Sequence, residues 1–87
     1  MRTFRLNIQT MKGGIIEEGC ESAVIPTVDG MYGVMAGHSN VISVVAPGTL
    51  SYSVGGERHS VEVGKGVLVV DGGCTTLLVD SISGGEL

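Results

Sequence analysis

Along residues 3–11 apolar and polar positions alternate, with Phe4, Leu6 and Ile8 on one side and Arg5, Asn7 and Gln9 on the other. That two-residue period is the pattern of a strand with one face in a core. After Lys12-Gly13-Gly14, residues 15–18 and 20–25 read as two further strands, separated by Gly19 and closed by Pro26. Residues 27–40 lose the alternation and read as a long connection, in which Gly30, Gly33 and Gly37 permit bends and close approaches. Residues 41–45 are a largely β-branched run ended by Ala46-Pro47-Gly48, where proline pre-sets φ for a turn and glycine tolerates a positive φ. Leu50, Tyr52 and Val54 then alternate with Thr49, Ser51 and Ser53. Beyond Gly55-Gly56 they are answered by Val61 and Val63 alternating with Ser60 and Glu62, a strong hairpin signal. Residues 67–70 and 75–79, joined by Asp71-Gly72-Gly73, predict a second hairpin whose continuous apolar runs imply burial on both faces.

No window of ten or more residues carries apolar positions at helical spacing, so no significant helix is expected. The predicted fold class is all-β, a flattened antiparallel β-sandwich or barrel of about eight to ten short strands. Its inward residues are expected to be Phe4, Leu6, Ile8, Val24, Leu50, Tyr52, Val61, Val67, Val69, Leu77 and Val79.

Length and composition narrow this picture. Eighty-seven residues make one small domain, expected to span residues 1–82 and to leave residues 83–87 as a short tail. With 43% hydrophobic and 16% charged residues the chain can build a core. A net charge of −4 argues against nucleic acid as a partner, because phosphate neutralisation dominates that affinity. Cys20 and Cys74 make no disulfide framework and fit no zinc spacing, which points to a reducing setting and to two small core residues. No signal-peptide pattern opens the chain. The longest aliphatic stretch, Val67-Leu68-Val69-Val70, falls far short of the ~20 residues of a membrane span.

The inventory of reactive groups is poor for an enzyme, and no catalytic, metal or cofactor residue is expected. His38 and His59 with Cys20 and Cys74 supply four metal-ligating side chains, but none stands at ligand spacing. His59 shares the side of Val61 and Val63 and reads as a partly buried strand histidine. Gly64-Lys65-Gly66 is no phosphate loop: His59 stands where the first glycine belongs, Gly66 where Ser or Thr belongs, and no helix follows. No Gly-x-Ser-x-Gly elbow occurs, and the adjacent carboxylates Glu17 and Glu18 read as a solvated region.

One stretch carries more information. It reads Ile25-Pro26-Thr27-Val28-Asp29-Gly30-Met31-Tyr32-Gly33-Val34-Met35-Ala36-Gly37-His38-Ser39-Asn40-Val41-Ile42, followed by Ala46-Pro47-Gly48-Thr49-Leu50. This resembles the N-terminal β-sandwich of the epsilon subunit of F-type ATP synthase, whose pattern sets spaced glycines, a Pro-Gly-His, an aliphatic strand and a Pro-Gly in the same order. The resemblance runs on through Gly66-Val67-Leu68 to Leu77-Leu78-Val79-Asp80. It implies a non-catalytic central-stalk subunit that docks the gamma subunit to the membrane c ring and couples ion translocation to ATP synthesis. Such a subunit works at the cytoplasmic face of the bacterial plasma membrane and reaches the membrane only through its partners. Carried over by position, Val28, Asp29, Gly30, Met31 and Tyr32 would meet the c ring, and Thr10, His38 and Ile42 would face gamma.

The chain departs from that pattern in three places. Ala36 replaces the usual proline before Gly37, Met31 follows Gly30 where many members are polar or acidic, and Gly64-Lys65-Gly66 puts a charge where Ser-Gly-Gly is common. Residues 81–87 are too few for the two C-terminal helices of typical bacterial members. If the sequence is full length, the resemblance implies a rotor subunit without their inhibitory switch. The alternatives are a free-standing β-sandwich interaction module with an unrelated partner and a small β-barrel enzyme or metal-binding cupin-like protein, the last binding its metal through His38 and His59.

Overall fold

The opening alternation becomes β1 (Phe4–Thr10), with Phe4, Leu6 and Ile8 buried and Arg5 exposed between them. The computed structural model describes residues 2–84, and among these the chain forms nine strands and no helix. They are β1, β2 (Gly13–Thr27), β3 (Gly30–Met35), β4 (Val41–Val45), β5 (Gly48–Val54), β6 (Glu57–Val63), β7 (Gly66–Asp71), β8 (Cys74–Val79) and β9 (Ile82–Ser83). Ser83, the first residue of the expected tail, pairs with Glu62 in β9. Residues 85–87 of that tail lie outside the described residues.

Two layers face each other across one core. The first holds β3, the C-terminal half of β2, β5, β6 and β9. The second holds the N-terminal half of β2, β1, β8, β7 and β4. Every pairing is antiparallel except β1 with β8. The two predicted hairpins are present, and in the first of them Gly55 and Gly56 both take positive φ (58° and 82°), the geometry of a two-residue hairpin turn.

β2 belongs to both layers, which corrects the expectation of two strands broken at Gly19. Its 15 residues, at about 3.3 Å each, would run roughly 45–50 Å if straight, yet the longest dimension of the molecule is 31 Å. The strand therefore coils, and the pairing slips between Cys20 and Ser22 against β5 and between Phe4 and Leu6 against β1. Bulges of this kind bend a strand and sharpen its twist. Gly19 marks the bend, not an end.

The slip also moves the inward phase. Ala23 and Ile25 are buried while Val24 faces outward, contrary to expectation. In β7 the buried residues are Leu68 and Val70, and the expected Val67 and Val69 face out. An unbroken apolar run has no alternation from which a phase can be read. Burial on both faces fails as well, since Val67 and Leu78 are exposed on the second layer's outside. The other expected inward residues, Phe4, Leu6, Ile8, Leu50, Tyr52, Val61, Leu77 and Val79, are all buried.

Residues 27–40, expected as a connection, contain β3, paired with β2 from Ser22↔Met35 to Thr27↔Gly30. Gly48, expected in a turn that tolerates a positive φ, opens β5 without one. A Cβ there would press on the Pro26 ring at 3.2 Å.

Candidate functional site

The two outer faces of the sandwich differ in chemistry. On the first layer, Thr49, Ser51, Ser53 and Ser60 dominate the outside of β5 and β6. Three of these hydroxyls are engaged: Thr49 donates to Glu62, Ser53 to Glu21 at 3.2 Å, and Ser51 accepts from Arg58 at 3.2 Å. On the second layer, Val44 lies opposite Val67 and Val67 opposite Leu78, while Ile42 lies opposite Val69. Ile42 is 78% exposed, Val44 52%, Val67 42% and Leu78 55%. Across the sheet the exposed Ile16 of β2 extends the same outside face beyond Asn7 of β1. A contiguous row of aliphatic side chains left in water marks a surface that another molecule covers.

A second feature is the pair of hairpin tips at the two ends of β2. Thr10-Met11-Lys12-Gly13 and Thr27-Val28-Asp29-Gly30 are built alike. In each, the threonine hydroxyl donates to the glycine carbonyl, at 2.8 Å from Thr10 and 2.7 Å from Thr27. It also accepts from the amide two residues on, at 3.1 Å from Lys12 and 3.2 Å from Asp29. Gly13 and Gly30 take positive φ (134° and 112°), where an L side chain would be strained. Each tip presents an exposed apolar residue, Met11 or Val28.

The residues expected to face a ring fall on the second tip: Val28, Asp29, Gly30 and Met31 are exposed, and Tyr32 is half-buried. Among those expected to face gamma, Ile42 lies on the apolar face. Thr10 is at the end of β1, three strands from β4 in the same layer, and its hydroxyl is engaged in its own turn. His38 sits in the turn before β4. The structure brings His38 together with Tyr32, whose hydroxyl lies 3.2 Å from Nε2 with the rings edge to face at 5.3 Å. Val44, Val67, Val69, Leu78 and Ile16 were missed as surface residues. A signal was available: strands apolar on both faces, in a domain too small to cover both, must show one face to solvent or to a partner.

The remaining candidates assemble no reactive centre. His59 is half-buried as expected, stacked on Tyr52 at 5.2 Å and 3.9 Å from the Glu57 carboxylate. Cys20 is buried, donates to the Ser22 carbonyl at 3.3 Å, and has its thiol pushed above the ordinary value by burial. Cys74, expected in the core, is only half-buried on the outward side of β8 beside Thr76, because Thr75 takes the inward position. Among the described residues no group of three His, Cys, Asp or Glu side chains is placed to hold a metal.

These features define a small all-β sandwich whose β4, β7 and β8 leave aliphatic side chains exposed on one outer face. The chain belongs to the ATP synthase Delta/Epsilon chain β-sandwich domain family, whose model matches residues 3–85. It is 29% identical over 84 residues to the ATP synthase epsilon chain of Desulfitobacterium hafniense (strain DSM 10664 / DCB-2), covering 97% of this chain and 64% of that one. With the ATP synthase epsilon chain of Rhodopseudomonas palustris (strain BisB18) it shares 31% identity over 80 residues, 92% of this chain and 59% of the relative. The chain thus spans less than two thirds of the length of these relatives. The fold matches a chain in the cryo-EM structure of the Euglena gracilis mitochondrial ATP synthase OSCP/F1/c-ring, with a TM-score of 0.87 at 24% identity over 93% of this chain and 52% of that one. It also matches a chain in the Tetrahymena thermophila mitochondrial ATP synthase central stalk and c-ring, with a TM-score of 0.79 at 12% identity over 94% of this chain and 66% of that one.

Proposed function

We propose that the chain is the sandwich of a central-stalk rotor subunit of an F-type ATP synthase, a non-catalytic part that docks the gamma subunit to the c ring and couples ion translocation to ATP synthesis. The observation that carries this reading is the exposed aliphatic row Ile42, Val44, Val67 and Leu78 on one outer face. A rotor part must be held firmly by its neighbour, and the apolar core of a docking interface supplies such a hold. In this reading Ile42 and its row lie against gamma, with Thr10 and His38 at the margins. The hairpin carrying Val28, Asp29, Gly30, Met31 and Tyr32 points at the polar loops of the c ring. The subunit then sits at the cytoplasmic face of the bacterial plasma membrane, held there by its partners. The names of the related epsilon chains, and the central-stalk and c-ring assemblies that contain the structural matches, support the assignment.

Co-elution with the gamma subunit of the same organism tests it. A stable complex at micromolar concentration that is lost on Val67→Glu supports the assignment. No complex, or one indifferent to Val67→Glu, transfers the aliphatic row to an unrelated protein partner and overturns it.

A further inference from the structure

The hairpin proposed to meet the ring and the strand proposed to begin the gamma surface are fastened to one another at two places. At the base of the tip, the Val28 amide donates to the Val44 carbonyl at 3.0 Å and the Ala46 amide to the Pro26 carbonyl at 3.0 Å, around the Thr27↔Val45 pairing. Farther along β3, Tyr32 points inward and meets His38 edge to face. The Tyr32 hydroxyl lies 3.2 Å from His38 Nε2 and 3.5 Å from Nδ1, and Nδ1 lies 3.0 Å from the Ser39 carbonyl, which can only accept; in the tautomer that gives the Nδ1 proton to that carbonyl, Nε2 is the nitrogen left to accept from the Tyr32 hydroxyl. The turn itself is held by the His38 amide donating to the Met35 carbonyl at 3.2 Å, and the Arg2 guanidinium lies over Gly37. Ile42 and Val44 on one side, and Val28 and Met31 on the other, are thus exposed residues on segments joined by backbone and side-chain bonds, with no free linker between them.

From this geometry we infer that Tyr32 and His38 form a latch, a pair of positioning residues that makes the hairpin and β4 a single stiff body through which load passes between the two docking surfaces. The inference rests on the central-stalk reading. It assigns Tyr32 a role inside the domain, its ring closing the latch while the exposed tip ahead of it makes contact. Loss of the Tyr32 hydroxyl removes one hydrogen bond and leaves the ring, so it loosens the latch without emptying the site.

The test uses the full chain as Tyr32→Phe, His38→Ala and His38→Gln, the last keeping an acceptor for the Tyr32 hydroxyl. Amide hydrogen exchange is expected to quicken about fivefold, the worth of one hydrogen bond, at both Val28 and His38 in Tyr32→Phe and His38→Ala. Exchange at Leu50 and Leu77 in the core should stay unchanged, and His38→Gln should restore part of the protection. The Nε2 nitrogen resonance of His38 is expected to move in Tyr32→Phe. Quickening confined to the mutated residue overturns the latch. In the assembled ATP synthase, Tyr32→Phe is expected to lower ions pumped per ATP with the subunit still bound. An unchanged ratio together with a loosened hairpin overturns the load-bearing role. Exchange is read on the free chain, so a failure to bind gamma overturns the central-stalk reading separately.

Discussion

The outside of β5 and β6 and the outside of β4, β7 and β8 are made by strands of similar length and similar β propensity, yet the first ends in hydroxyls and the second in aliphatic side chains. Outside the first layer, Ser51, Ser53 and Thr49 satisfy one another's surroundings through Glu21, Arg58 and Glu62. Outside the second, Val44, Val67 and Leu78 stand side by side with their aliphatic surface exposed. Both layers have equally well buried interiors, with Ile25 and Leu50 in one and Leu6, Leu68 and Leu77 in the other at 0% exposure. The aliphatic row therefore does not result from a poor core. Its cross-strand pairs already support the sheet, and the area it still exposes gains about 25 cal/mol per Å² when a partner removes it from water.

The sharpest way to break this comparison is to put charge on each face in turn. Val67→Asp with Leu78→Asp is expected to weaken gamma binding by about a hundredfold or more, because each charge would be buried unpaired in an apolar interface. Ser51→Asp with Ser60→Asp is expected to change it by less than about twofold. Isothermal titration of gamma into both double variants decides, and equal losses would erase the distinction between the faces.

The two hairpin tips provide a smaller contrast within one strand. Thr27→Val and Thr10→Val each remove the same two hydrogen bonds. Thr27 is buried at 8% exposure and Thr10 is half-exposed, so Thr27→Val should cost about 1–2 kcal/mol in urea unfolding and Thr10→Val about 0.5–1. Alkaline titration checks the interior. The Cys20 thiol is held above its ordinary value by burial, so both states are neutral below that value. As pH rises past it, unfolded Cys20 ionises while the folded thiol does not, and stability falls until the folded thiol ionises too. Cys20→Ala should flatten that fall in denaturation midpoints measured from pH 8 upward. The least effect belongs to the ion pair of Arg5 and Glu18 at the margin of the apolar face, 2.9 Å apart but with side chains 52% and 70% exposed. Glu18→Gln should cost no more than about 0.5 kcal/mol in thermal unfolding, less in high salt.

How much of this was legible in the sequence differs from segment to segment. Phe4, Leu6 and Ile8 announced their strand and its inward face because charged and amide residues separate them. Gly55-Gly56 announced its turn because few other residues accept two successive positive φ angles. The spaced glycines and His38 announced the family. In contrast, Val67-Leu68-Val69-Val70 hides its phase, Gly19 has the look of a strand end although β2 runs through it, and the glycines of β3 mask a strand that pairs with β2.

The amino-acid sequence by itself determined an all-β domain, its turns, most of its interior and its family, because those follow from residue type and spacing over a few positions. The tertiary structure alone decided which aliphatic residues lie outside. The inward direction of β7 is set by its pairing with β4 and β8, and that of β2 by a bulge where one strand passes between two layers. It alone, too, brought Tyr32 against His38, since their contact depends on how the turn after β3 folds back and not on any local pattern.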